Sequence, residues 1–327
     1  MKATAGTITI ESHLGPADDR SLAYDVLDGL TRPFKELPPK HLYDTEGSRL
    51  FEAICRLPEY YPTRTERAIL AEHSGAIVAA TGASELVELG SGVPTKTRLL
   101  LDAMRDAGTL DRYLPLDVSE TVLRASAEHL VEAYPGLRVH GVLGDFERHL
   151  DAIPAADGPR LLVFLGGTIG NFTPGSRRRF LRALGRGLRS QDRLLLGVDL
   201  VKDPAVIEAA YNDSAGITAA FNRNILSVLN RELGADFDPD AFEHVAFYDR
   251  HREWVEMRLR AHAPQVVSIP GVGLTVHFAH REELRTEISA KFTRERIEAD
   301  AAGSGLRLES FLTDEDRLFG VCVIASS

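Results

Sequence analysis

The chain has few of the residues that build disulfide frameworks or metal clusters. Its two cysteines, Cys55 and Cys322, lie far apart without C-x-x-C spacing, so neither a zinc site nor a stapled scaffold is indicated, and a reducing compartment fits. The 11 histidines show no H-x-x-x-H grouping, so again no metal motif is present. No run of about 18 apolar residues could cross a bilayer, and Met1 to Pro16 contains no apolar core of signal length. A soluble, cytoplasmic protein without a membrane partner is expected. Positive charge is also short: 38 Lys and Arg against 48 Asp and Glu leave a formal net charge of -10, the wrong sign for a nucleic-acid partner. The one basic cluster, Arg177-Arg178-Arg179, lies early in a predicted helix and reads as a solvated face. No internal repeat or low-complexity stretch is evident.

With 327 residues, 44% of them hydrophobic, the chain can bury a core large enough for two domains. Its organising stretch is Glu85-Leu86-Val87-Glu88-Leu89-Gly90-Ser91-Gly92-Val93-Pro94-Thr95-Lys96. A short apolar run reads as a buried parallel strand, stops at a G-x-G turn, and restarts as a helix through Met104. Strand, glycine turn and helix N-terminus together can cradle a cofactor, because glycine lets the backbone approach a ligand and the helix end offers unpaired N–H groups. A lone G-x-G is also an ordinary turn. The third glycine that a pyrophosphate would want is missing. S-adenosylmethionine does not need it, and Glu88 at the strand end would attract that cofactor's amino or sulfonium cation.

Around this stretch, strands over 85–89, 112–116, 137–143, 160–165 and 192–198 alternate with helices near 95–107, 119–133 and 174–188. That rhythm implies an α/β fold with a mostly parallel sheet wound on both faces and ligands at the strands' carboxyl ends. Those ends carry Gly90-Ser91-Gly92, Asp117, Gly144-Asp145-Phe146, the turn from Gly166 through Gly167 and Thr168 to Asn171, and Asp199. Asp117 can accept both hydroxyls of a ribose or cap a helix. Asp145 beside Phe146 suits an adenine's amine and face, or is a turn acid beside a packing ring.

Ahead of the organising stretch, a frayed tail is expected, then helices over 18–30 and 47–57. Between them Pro38 to Asp44 reads as extended loop. Pro58 and Pro62 pin Tyr60 and Tyr61 in a short rigid loop, and a helix from Thr63 to Ala80 opens with Thr63 and Glu66 as a capping box. Past Leu200 the rhythm breaks into helical 203–233, carrying Tyr211, Asn222, Arg223 and Asn224, and antiparallel strands over 241–248, 253–260, 265–269 and 274–278. The parallel fold resumes near Lys291, with a helix at 293–302 and strands at 306–312 and 318–325. The expected division is a Rossmann-type domain over 63–200 and 291–327 and a second, α+β substrate domain over 1–62 and 201–290.

The runs L-P-P-K-H-L-Y-D, L-P-E-Y-Y-P-T-R-T-E, V-E-L-G-S-G, T-I-G-N-F-T, A-F-N-R-N and T-E-I-S-A-K-F resemble the S-adenosylmethionine-dependent L-histidine Nα-methyltransferases of ergothioneine biosynthesis, from about Leu22 onward. The resemblance implies a class I methyltransferase domain with a substrate domain built from the N-terminus and an insertion. It also implies three successive methylations of the α-amine of L-histidine, giving hercynine. It places Tyr43, Gly90, Lys96, Asp117, Asp145 and Phe146 around the cofactor, and Gly166 and Thr168 along the methyl-transfer cavity. Asn171 and Tyr211 match positions at the amine and carboxylate end of the amino acid, while Tyr60, Glu287 and Ser289 match those facing its imidazole. Gly167, and Val93-Pro94 in the glycine loop, depart from the small polar residues that the family pattern leads one to expect.

Methyl transfer from a sulfonium is a direct displacement that needs an aligned, neutral amine. It requires neither a nucleophilic side chain nor a metal. Glu287 and Ser289 are two apart, so on an extended segment they share a face and can accept from one imidazole N–H while donating to the other nitrogen. From sequence alone T-E-I-S reads rather as a solvated edge strand, and only the resemblance reverses this. Two other functions stay open: methylation of another aromatic amino acid's α-amine, and a cofactor-binding relative without turnover. A monomer is expected.

Overall fold

The computed structural model describes residues 6–15, 21–92 and 95–327. Val93-Pro94 of the glycine loop lie outside them. In chain order the elements are β1 (Thr7–Ser12), α1 (Ser21–Leu30), β2 (Lys35–Glu36), α2 (Thr45–Ile54), α3 (Pro62–Thr81), β3 (Glu85–Leu89), α4 (Thr97–Asp106), β4 (Arg112–Asp117), α5 (Glu120–Ala133), β5 (Arg138–Leu143), β6 (Arg160–Phe164), α6 (Pro174–Gly187) and β7 (Arg193–Asp199). There follow α7 (Pro204–Tyr211), α8 (Ile217–Leu233), β8 (Phe242–Asp249), β9 (Trp254–Ala261), β10 (Gln265–Ile269), β11 (Leu274–Phe278), β12 (Glu283–Ala290), α9 (Arg294–Ala302), β13 (Leu306–Thr313) and β14 (Phe319–Ser326).

Eight strands form one sheet in the order β1-β5-β4-β3-β6-β7-β14-β13. It is parallel except where β14 runs against β7 and β13. All five residues of β3 are buried, as befits a strand covered on both faces. Val87 and Leu89 join one apolar core while Leu86 joins the other. The chain winds outward through β4 and β5 on one side of β3 and through β6 and β7 on the other, so a crevice opens at the carboxyl ends of β3 and β6.

A second body is built on a four-stranded sheet, β2-β12-β9-β8, whose apolar face packs with α1, α7 and α8 around Leu42, Phe221, Phe242 and Leu259. The two bodies meet where the 3-10 turn Thr168–Asn171, following β6, lies on β12. A Cβ on Gly170 would sit 2.8 Å from the carbonyl oxygen of Ala290, so only glycine permits this approach.

Several expectations are corrected. Residues 7–12 are not a frayed tail but pair in parallel with β5 at the edge of the large sheet. Pro38 to Asp44 is not simply extended, because Pro39, at the first position, starts a 3-10 turn to Leu42. The Thr63–Glu66 capping box does not form. α3 begins a residue earlier at Pro62, the Thr63 hydroxyl points to Cys55 Sγ at 3.3 Å, and Glu66 is turned into the core. Arg177 is not solvated: it is buried, its Nε donates to Asp300 at 2.7 Å, and its guanidinium lies over Phe292. T-E-I-S, finally, is not solvated: it lies within β12 paired with β9, β2 pairs with β12 only at Leu284 and Arg285, and all four residues are buried.

Glu66 is accommodated because residue 197 of β7 has no side chain: a Cβ there would sit 1.9 Å from Glu66 Oε1. Gly197→Ala is therefore expected to destabilise the fold by about 1–3 kcal/mol through overpacking, read as a lowered midpoint in urea, and an unchanged midpoint would contradict this packing.

Candidate active site

The end of β3 enters a left-handed turn at Gly90, φ 69°, where a side chain would be strained. The missing Cβ would stand 3.5 Å from the Phe146 ring, which lies among Phe164, Phe172 and Phe180. Asp117, ending β4, accepts from the Gly92 N–H at 2.9 Å and from the Ser119 N–H at 3.0 Å. One carboxylate thus ties the glycine turn to the next strand's loop. Asp145 accepts from the Glu147 N–H at 2.8 Å. Gly90, Asp117, Asp145 and Phe146 are therefore neighbours along the ends of β3, β4 and β5. Glu88 is not open to a ligand. It is buried and accepts from the hydroxyls of Thr97 and Tyr113, and burial pushes its carboxyl up to about 7.

Beneath the turn after β6 lies a buried ion pair that sequence reasoning missed. Lys96 pairs with Glu66, and both Glu66 oxygens accept from the Gly166 N–H at 2.9 Å. Lys96 and Gly166 are thereby held together. Thr168 donates its hydroxyl to the Leu165 carbonyl at 2.9 Å, and the face of Gly167 is backed by the Phe319 ring.

The opposite wall comes from β12. Glu287 stands opposite Met257 and Ser289 opposite Val255 in β9, and both are buried. The Asn171 side chain neighbours the Glu287 carboxyl. Burial pushes that carboxyl up to about 7, with Lys291 and Asn171 opposing the rise. Tyr211, at the end of α7, donates to Ser289 Oγ at 2.8 Å, and the Tyr60 ring lies 6.5 Å from that of Tyr211, edge-on. Tyr43 packs its ring against Phe51 and Phe221, each at 5.4 Å, and is 44% exposed. Burial and then the neighbouring Glu287 and Tyr211 push its pKa up. Tyr43, expected at the cofactor, is grouped here with the β12 residues.

Behind this wall sits a second ion cluster. Lys291 is wholly buried and lies 2.9 Å from Asp199 Oδ2, which ends β7. Asp199 also takes a proton donor from Tyr61 at 2.9 Å and from Lys202 at 2.6 Å. Burial works against the Asp199 charge, but Lys291 and Lys202 outweigh it and hold the carboxyl below the ordinary range. Lys202, less enclosed by countercharge, is pushed by burial down to about 8. Lys291 was legible in principle as a lone cation in the otherwise apolar run A-K-F. Among the described residues, no three or more His, Cys, Asp and Glu are grouped to hold a metal ion. The arrangement can seat a flat base and a sugar on one side, a small cation-bearing ligand on the other, and an amide, Asn171, between them.

Comparison with known proteins bears on both walls. Residues 22–326 match the model of a family described as histidine-specific, S-adenosylmethionine-dependent methyltransferases. The chain is 52% identical over 317 residues to the histidine N-alpha-methyltransferase of Mycolicibacterium smegmatis, covering 96% of this chain and 98% of that protein. It is 50% identical over 319 residues to the enzyme of the same name from Mycobacterium tuberculosis, covering 97% and 99%. Ergothioneine biosynthesis protein 1 of Neurospora crassa is 30% identical over 90% of this chain, which spans 33% of that longer protein.

The burial of Glu88 has a sign that can be tested. Its carboxyl titrates near 7 in the fold against an ordinary 4.5, so the unfolded chain ionises first and stability falls as pH rises between those values. Glu88→Gln abolishes that loss. Its melting temperature relative to the parent should rise from about pH 5 to about pH 8, and a difference independent of pH would contradict the assignment.

Proposed function

The chain belongs to the histidine-specific, S-adenosylmethionine-dependent methyltransferases, and on that footing we propose that it methylates the α-amine of L-histidine three times in succession to give hercynine, opening ergothioneine biosynthesis. The observation that carries this reading is the packing of the turn Thr168–Asn171 on β12, where a Cβ on Gly170 would lie 2.8 Å from the Ala290 carbonyl oxygen and 3.5 Å from Ser289 Oγ. It joins the tip of the methyl-donor turn to the strand proposed to hold the imidazole, so the two pockets share a wall. In a bound complex the Asn171 amide can turn to the amino acid's nitrogen.

The residues present suit the donor. A ring-lined space beside Gly90 fits an adenine, and acids at the ends of β4 and β5 fit a ribose and an exocyclic amine. S-adenosylmethionine supplies an electrophilic methyl on a positively charged sulfur. In this reading Gly90, Lys96, Asp117, Asp145 and Phe146 surround it, and Gly166 and Thr168 line the path of transfer. Tyr43, which neighbours Glu287 and Tyr211, is assigned to the side of the donor that faces the acceptor. Asn171 and Tyr211 align the amine, which raises the rate by fixing its approach to the methyl carbon. Tyr60 packs on the imidazole, Glu287 accepts its N–H, and Ser289 addresses its other nitrogen. We assign acceptor binding to the second body, built from 21–62 and 201–290. We assign the protein to the cytoplasm as a monomer without nucleic-acid or membrane partner, a reading that rests on its charge and its two unpaired cysteines.

Mass spectrometry of the purified protein with L-histidine and S-adenosylmethionine should show a product three methyl groups heavier than histidine; no methylated histidine at saturating donor would reject the function. Asp117→Ala should weaken S-adenosylmethionine binding by about 1–3 kcal/mol in calorimetry through unpaired hydroxyls and a loosened turn. Unchanged affinity would remove Asp117 from the ribose.

A further inference from the structure

Lys291, Tyr211 and Ser289 form a closed triangle. Lys291 Nζ lies 2.9 Å from Tyr211 Oη and 2.9 Å from Ser289 Oγ, and the two oxygens are 2.8 Å apart. An ammonium group carries three protons and accepts none. Two of those protons therefore lie along the edges to Tyr211 and Ser289, and the third lies on Asp199 Oδ2 at 2.9 Å. With every donor committed, the group cannot turn. The Tyr211–Ser289 edge holds one hydroxyl proton, so one of the two hydroxyl protons is left over. A phenol is the stronger acid of the pair and the better donor, so it donates to Ser289. Ser289 then accepts twice, and its own proton has to point out of the triangle.

The strand sets where that proton points. Glu287, Ser289 and Lys291 occur at alternate positions from β12 onward, so their side chains share a face. Lys291 fills the deep end of that face, fully enclosed, while Glu287 lies at the other end. The ammonium group keeps both hydroxyl protons off its own edges, and the greater acidity of the phenol selects the order in which Tyr211 donates to Ser289.

We propose that Lys291 is a positioning residue that fixes the direction of the Tyr211 and Ser289 hydroxyls, so that the pocket offers one donor at Ser289 beside one acceptor at Glu287. This rests on the histidine reading of the site. A ring with one N–H and one bare nitrogen satisfies both groups, while a ring without a bare nitrogen leaves the Ser289 proton unpaired. The Tyr211 oxygen, having given its proton to Ser289, faces the substrate as an acceptor suited to an amine N–H. Acceptor selectivity is thus set one layer behind the residues that touch the ligand.

A double-mutant cycle tests this. Lys291→Met and Ser289→Ala should each raise KM for L-histidine about 10- to 100-fold, the range of one lost buried hydrogen bond, while the dissociation constant for S-adenosylmethionine stays within about twofold. The double variant should be less impaired than the product of the two single penalties, because Lys291 acts in part through that hydroxyl. Penalties that multiply, a parent-like KM for Lys291→Met, or a parallel loss of donor affinity would each overturn the proposal. If Lys291→Met fails to fold, neutron diffraction of the parent protein decides. A Tyr211 deuteron on the edge to Ser289, with the Ser289 deuteron outward, supports the assignment, and the reverse order or a neutral Lys291 overturns it. A parent protein that makes no methylated histidine would instead strike at the proposed function and leave the deuteron positions to be judged separately.

Discussion

The ion pair between Asp199 and Lys291 is the contact on which the rest of the molecule depends. Asp199 ends β7 of the large sheet, and Lys291 follows β12 of the second. Tyr61, immediately ahead of α3, and Lys202 complete the cluster. Removing four polar groups from water is expensive, and attraction between them returns that cost only where the geometry is good. The return here is geometric: a charge pair with no water nearby fixes how one body faces the other. An apolar contact of the same area would tolerate sliding that a 2.9 Å ion pair does not.

A similar device operates beneath the methyl-transfer turn. Glu66 reaches from α3 through the space left open at Gly197 to hold the Gly166 N–H, and Lys96 neutralises it. The backbone that lines the transfer path is thus fastened to a helix from before the Rossmann strands and to the helix that follows the glycine turn. The methyl-transfer turn thus rests on Glu66, a carboxylate fully enclosed beneath it.

Much of the framework was legible in the sequence because the large sheet is built from unbroken apolar runs between glycine turns. The pattern located β3, β10 and β11 at their observed bounds. β1 was passed over although Thr7-Ile8-Thr9-Ile10 alternates, because an edge strand with mostly exposed residues has little apolar weight. Glu66 resembled a cap because the T-x-x-E spacing is local, whereas its partners at Lys96 and Gly166 are distant in sequence. Arg177 and Lys291 were missed for a related reason: a charged residue reads as exposed until the fold supplies a counter-ion, here Asp300 and Asp199. Glu287 and Ser289 were singled out by the family resemblance, since their two-residue spacing alone suits a solvated strand, and only the fold set them in a buried strand beside the turn that ends at Asn171.

β14 inserts between β7 and β13, and its first residue, Phe319, backs Gly167 in the turn after β6. Without β14, β7 would have an unpaired edge and the turn after β6 nothing behind Gly167, so a single strand closes both the sheet and the floor of the transfer path.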